Sequence, residues 1–309
     1  MVIVGGENLI DLVQMGTDSD LPIYKAIPGG SPFNLAMAAA RQGVEVHYLT
    51  PISTDSSGDL LAARLTESKV HIAAPRHNAP SSLAMVTLNQ EIPTYSFYRE
   101  ATAERHISNE MLAAVAPQSA RIFHIGSLGL SGGADAEIWE AFANSCKEKG
   151  MLVSLDPNVR PSLISDAAAY RARMNRMMAM ADILKLSDED LDWLYQDKDE
   201  DAALTQLTTD AKGALIVLTR GADGADLWHE GAWHHIDSAP VPSLADTVGA
   251  GDTFSATMLA WLVRSDCLDS LYSMSLDQKL EMLAYAGQAA AINCGRQGCN
   301  PPWQHEMPS

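Results

Sequence analysis

The feature that most constrains this chain is the alternation of short, wholly apolar runs with segments of helical spacing. Arg121-Ile-Phe-His-Ile-Gly126 is followed by 134–149, where Ile138, Trp139, Phe142 and Cys146 fall on one helical face. Met151-Leu-Val-Ser-Leu-Asp156, a helix over about 166–180, Asp182-Ile-Leu-Lys-Leu186, a further helix and Ala214-Leu-Ile-Val-Leu-Thr219 continue the pattern. Strands without polar alternation are buried on both faces. The expected class is therefore α/β, with a mainly parallel central sheet between two helical layers and a ligand beyond the strands' carboxyl ends. Residues 12–27 and 82–99 break the rhythm with extended, partly alternating sequence, and predict a small antiparallel flap outside the main sheet. Two edge strands of the main sheet are the competing reading. The whole chain, 1–309, reads as one domain carrying this discontinuous β lid.

Charge narrows the partners. With 39 acidic against 21 basic residues, the formal net charge is −18, which repels polyanions; neither nucleic acid nor an anionic membrane is an expected partner. No apolar run is long enough to span a bilayer, and the opening Met1-Val-Ile-Val-Gly-Gly reads as a first strand rather than a signal peptide. Four scattered cysteines (146, 267, 294 and 299) suit reduced thiols in a cytoplasmic protein better than a metal site or a disulfide framework.

Two segments carry chemistry. In Asp246-Thr-Val-Gly-Ala-Gly-Asp252, glycines at 249 and 251 let main-chain N–H groups converge on a ligand at a helix start, where negative charge is favoured. An aspartate placed there would compete with a bound anion, unless it accepts a proton from a hydroxyl while the amides hold the phosphoryl group under attack. A plain helix cap is the alternative for Asp252 alone; the flanking Asp-Thr and second glycine favour catalysis. In Pro28-Gly-Gly-Ser-Pro-Phe-Asn34, Ser31 and Pro32 make a good helix start, and Gly43 a natural stop. Asn34 in that first turn is left to bind a hydroxylated ligand.

In this order and spacing, the two segments resemble the Gly-Gly-x-x-x-Asn-x-Ala and Asp-Thr-x-Gly-Ala-Gly-Asp elements of the PfkB, or ribokinase-like, carbohydrate kinases. Further matches are Gly6-Glu-Asn-Leu-Ile-Asp11, Phe97-Tyr-Arg99, Asp156-Pro-Asn-Val-Arg160, 181–190 and Leu218-Thr-Arg-Gly-Ala-Asp-Gly224. The resemblance implies the three-layer ribokinase-like sandwich with a β lid. It implies that Asp252 is the base, with the amides of Gly249, Ala250 and Gly251 as the anion hole. Asp11, Gly30, Asn34, Arg99 and Arg160 would bind the sugar, Arg99 coming down from the flap. Lys185, Ser187, Thr219, Gly221, Gly224 and Asn293 would serve the nucleotide, with Lys185 either a phosphate contact or a surface lysine.

There are two departures from the family pattern. Val248 stands where many relatives have threonine, so a monovalent cation such as K⁺ at Asp246 and Val248 would rely on the backbone carbonyl. Ser187 and Asp190 stand at the Asn-x-x-Glu of ribokinase-like members, where the shorter aspartate would reach Mg²⁺ through water.

The resulting reading is an ATP- and Mg²⁺-dependent sugar kinase acting on a primary hydroxyl, most like fructokinases. 2-Keto-3-deoxygluconate kinase is the nearest rival, and a non-catalytic sugar or nucleotide sensor a more distant one. The base is expected to need no raised pKa, because it accepts its proton late in a loose transition state. A homodimer through the lid is expected by family similarity. A nicotinamide-dependent oxidoreductase is disfavoured, because no Gly-x-Gly-x-x-Gly follows the first strand.

Overall fold

A computed structural model describes residues 1–19, 21–89 and 92–308. In chain order the strands are β1 (Val2–Val4), β2 (Leu9–Asp18), β3 (Leu21–Gly29), β4 (Val46–Tyr48), β5 (His71–Ile72), β6 (Ser82–Asn89), β7 (Ile92–Tyr98), β8 (Ile122–Gly126), β9 (Leu152–Asp156), β10 (Ile183–Ser187), β11 (Leu215–Thr219), β12 (Ala225–His229) and β13 (Ala232–Ile236). The helices are α1 (Ser31–Arg41), α2 (Ser56–Glu67), α3 (Asn109–Val115), α4 (Ala134–Glu148), α5 (Ala167–Met180), α6 (Asp188–Leu194), α7 (Glu200–Asp210), α8 (Ala250–Arg264) and α9 (Leu276–Cys294).

Among the described residues, nine strands form the main sheet in the order β13-β12-β11-β10-β9-β8-β1-β4-β5. All its pairs are parallel except β11–β12 and β12–β13. Alternate residues of the apolar strands feed two cores. Val2, Val4, Ile122, Ile183 and Val217 pack toward α1, α2, α8 and α9. Ile3, Phe123, Ile125, Leu184 and Leu218 pack toward α3–α7. This is why these strands carry no polar face. Helix α8 is buried from Asp252 to Leu262, and α1 along its whole length. The small residues Ala36, Ala38, Ala39 and Ala40 let α1 lie deep between sheet and α8. Connections through β1, where the strand order reverses, leave the carboxyl ends of β1, β8, β9 and β10 facing one cleft.

The second sheet has the order β3-β2-β6-β7. Its strands begin at Leu9 rather than 12 and are separate from the main sheet. One expectation needs correction. β2–β3 and β6–β7 are antiparallel hairpins, but the central pair β2–β6 is parallel, so the flap is a mixed sheet. The cause is the long excursion between the hairpins: α1, β4, α2 and β5 are inserted there, and the chain re-enters from the same end. No helix among the described residues is long and apolar enough to cross a membrane.

Candidate active site

The first turns of α1 and α8 meet at Asp252. Gly30 precedes α1 at φ 111°, in the left-handed region, and a Cβ there would lie 2.9 Å from the Glu7 carbonyl oxygen. This tight entry sets Ser31 and Asn34 toward α8. Ser31 Oγ donates to Asp252 Oδ1 at 2.7 Å, and Asn34 Nδ2 donates to Oδ2 at 2.8 Å. Gly249 begins α8 at φ 75°, and a Cβ on it would meet Cys299 Sγ at 2.4 Å. Burial raises the Asp252 pKa; the Ser31 and Asn34 hydrogen bonds act against that, while Asp156 adds to it and Lys185 reduces it. The chemistry does not require an elevated pKa of this carboxylate. Its cause is desolvation beneath two helix ends.

Of the three amides assigned to an anion hole, that of Ala250 donates to the Thr247 carbonyl at 3.2 Å. The amides of Gly249 and Gly251 have no acceptor among the described residues. Directly below lies Lys185, whose Nζ would be 3.2 Å from a Cβ on Gly251. The surface-lysine alternative is therefore incorrect. Lys185 sits on β10 with its side chain buried, and pairs with Asp156 Oδ2 at 3.2 Å; Ser255 Oγ donates to the same oxygen at 3.2 Å. Burial opposes its charge, but Asp156, Asp190 and Asp252 outweigh that and raise its pKa, so the ammonium form persists.

A cleft of about 850 Å³ opens from the head of α8, lined by Thr219, Gly221, Gly224, Ala250, Gly251 and Phe254 among others. Leu283, Gly287 and Ala291 of α9 form its far wall. Asn293, expected to border the nucleotide, is not among the residues that line this wall. Fully buried, it donates from Nδ2 to the Val248 carbonyl at 2.9 Å and accepts from the Asn300 amide at 2.8 Å, tying α9 to the loop before α8. In that loop the Asp246 carboxylate accepts the amides of Val248 at 3.0 Å and Gly298 at 2.9 Å. Ser187 and Asp190 form a reciprocal cap at the start of α6, and Asp190 Oδ1 also accepts the Val159 amide at 2.6 Å.

On the other side of Asp252 lies the lid. Asp11, on β2, has Oδ2 where it would meet a Cβ on Gly29 at 2.5 Å. Burial raises its pKa to about 6, with Arg160 pulling the other way. Arg160 is exposed and donates to Asn158 Oδ1 at 2.6 Å. Arg99 departs from the expectation of a guanidinium descending onto the sugar. It is buried, and donates to both Glu104 oxygens at 2.8 and 3.2 Å and to the Leu128 carbonyl at 3.3 Å. A charge removed from water binds its countercharge first, and here Glu104 provides it five residues on.

Sequence reasoning missed Asp156, Glu7 and the contact Ser31 makes with Asp252. Glu7 accepts the Ser31 amide at 3.0 Å and the Gly129 amide at 3.3 Å, and burial raises its pKa to about 7. An acidic residue between two buried apolar runs, Val2–Val4 and Leu9–Ile10, was the available signal.

The model of the pfkB family carbohydrate kinases matches residues 1–306. This chain belongs to that family. A fructokinase of Rhizobium leguminosarum bv. trifolii is 36% identical over 90% of this chain and 85% of its own length. The structure of a Xylella fastidiosa fructokinase with bound ATP superposes with a TM-score of 0.86 at 26% identity, covering 99% of this chain and 94% of that one. A Vibrio cholerae O395 fructokinase with fructose, ADP and calcium gives 0.82 at 25% identity, covering 96% and 94%. The fold is ribokinase-like, and the protein is a carbohydrate kinase.

Proposed function

We propose that this kinase transfers the γ-phosphoryl group of ATP to a primary hydroxyl of fructose. The observation that carries the reading is Asp252: a buried carboxylate clamped by Ser31 and Asn34 at the head of a helix, where the 850 Å³ cleft ends. The cleft's apolar walls suit a nucleotide base, and its polar end suits phosphate. The sugar would lie between Asp252 and the lid, with Asp11 and Asn34 on its hydroxyls; Asn34 Oδ1 is buried without a partner among the described residues, ready to accept one.

As the hydroxyl attacks, Asp252 takes its proton. The amides of Gly249 and Gly251 and the Lys185 ammonium face the charge on the transferring group. Lid closure would exclude water as a rival acceptor.

Mg²⁺ fits this donor set in one respect. Asp156 Oδ1 is buried and unpaired among the described residues, whereas both Asp190 oxygens already accept amides. Asp156 would hold the hydrated ion, which when bound neutralises charge on the β- and γ-phosphates. Among the described residues, both Asp246 oxygens and the Val248 carbonyl already accept hydrogen bonds, so no orphaned oxygen there calls for K⁺. Four free cysteines suit a reducing, cytoplasmic setting.

The fructokinase relatives favour fructose over 2-keto-3-deoxygluconate, and the clamped base favours an enzyme over a sensor. Coupled ADP-release assays on fructose, ribose, 2-keto-3-deoxygluconate and nucleosides test this. The highest kcat/KM is expected for fructose; a higher value for the sugar acid would overturn the assignment.

A further inference from the structure

A second cluster of chemistry-bearing side chains lies at the opposite end of the main sheet, away from the carboxyl ends that surround Asp252. Strand periodicity places Glu45 and His47, two residues apart, on one face of the chain entering β4. Parallel pairing puts His71 of the edge strand β5 directly beside His47, and the two imidazoles stack with centroids 4.7 Å apart. One ligand atom from each of Glu45, His47 and His71 falls within 4.8 Å of the others. His47 Nε2 already faces Glu45 Oε1 at 3.0 Å. With metal–ligand bonds of about 2.0–2.2 Å, two donors of a tetrahedral ion stand roughly 3.4 Å apart. The Glu45–His47 pair thus needs only a small opening to exchange a shared proton for a metal, and a turn of the exposed His71 ring brings in the third donor.

We propose that Glu45, His47 and His71 form a binding site for a divalent transition cation of the Zn²⁺, Ni²⁺ or Cu²⁺ class. Two imidazoles and one carboxylate suit these borderline ions; Mg²⁺ and Ca²⁺ prefer all-oxygen sets. The site has open coordination positions, because Glu45 and His71 also border a surface cleft of about 650 Å³ lined in addition by Lys69, Trp303 and His305. The cations beside it are occupied: Arg41 donates to Asn300 and the Pro301 carbonyl, and both Arg41 and Lys69 lie over the Trp303 ring. Nothing in this cluster touches the cleft of the kinase reaction, so the ion would pin the edge strand β5 to β4 rather than take part in phosphoryl transfer.

The test is calorimetric titration of tag-free, metal-stripped kinase with Zn²⁺, together with the single variants His47→Ala and His71→Ala. Wild type is expected to bind one ion per chain and to gain thermal stability with added Zn²⁺; both effects should disappear in each variant. Kinase turnover, unchanged in both, reports that they are folded. Electron paramagnetic resonance of the Cu²⁺-loaded wild type should show nitrogen coupling from two imidazoles, a signal absent from each variant. An isotherm unchanged by either substitution, or no isotherm in the wild type, overturns the site.

Discussion

Replacing Lys185 with methionine keeps most of the side chain's volume and removes its charge. The ammonium and Asp156 are 3.2 Å apart, with 7% and 2% of their side chains exposed. At an effective dielectric of about 20, a pair at 3.2 Å attracts by about 5 kcal/mol. Stripping one partner from a buried pair generally costs about 3–5 kcal/mol, because the other charge stays behind in low dielectric. Here three carboxylates stay behind: Asp156, Asp190 and Asp252 all act to keep the lysine charged. Urea unfolding followed by tryptophan fluorescence should therefore show Lys185→Met destabilised by about 3–5 kcal/mol. Asp156→Asn should cost less, since Lys185 retains two acidic neighbours. The double variant should lie nearer wild type than the sum of the singles, with a coupling of about 2 kcal/mol or more. Activity should not follow stability: turnover should drop by about 100-fold in Lys185→Met and stay low in the double variant. A single-variant cost below about 1 kcal/mol with no coupling would mean a well-hydrated ammonium, and would refute this reasoning.

Two further outcomes follow from the lid. Asp11, with its pKa raised to about 6, loses its negative charge below that pH, so kcat/KM for sugar should fall on the acid side with a limb near 6. Arg160 holds that pKa down, so Arg160→Ala should move the limb to higher pH and Asp11→Asn should abolish it; a limb indifferent to both rejects the assignment. The lid also exposes Met15, Leu21, Ile23 and Tyr98, apolar surface that a second copy of the chain would cover. Sedimentation should find a dimer that Ile23→Glu converts to monomer, and an unchanged sedimentation coefficient would remove the lid from the interface.

The layered fold was legible because strands such as Ile122–Gly126 and Leu215–Thr219 have no polar face, a pattern with few solutions besides a covered parallel sheet. The antiparallel edge β12–β13 and the parallel β2–β6 pair were not legible, since strand direction depends on the route between elements and leaves no mark on local pattern. At the site, glycine spacing singled out the heads of α1 and α8, because only certain residues tolerate the backbone at Gly30 and Gly249. What escaped was pairing between distant side chains. Asn34 and Asp252 are 218 residues apart, and Lys185 and Asp156 are 29 apart. The partners of Arg99 and Asn293 escaped for the same reason: composition shows a donor but not the acceptor that the fold presents to it.

The central claim is that the carboxylate of Asp252 takes the proton of the attacking hydroxyl. Asp252→Asn preserves the shape and can keep a hydrogen bond to Ser31, so calorimetry should find fructose affinity within about threefold of wild type. Single-turnover phosphoryl transfer from ATP should slow by about 100- to 10,000-fold, the usual range for loss of a positioned base. Transfer near the wild-type rate, with fructose still bound, would contradict the account.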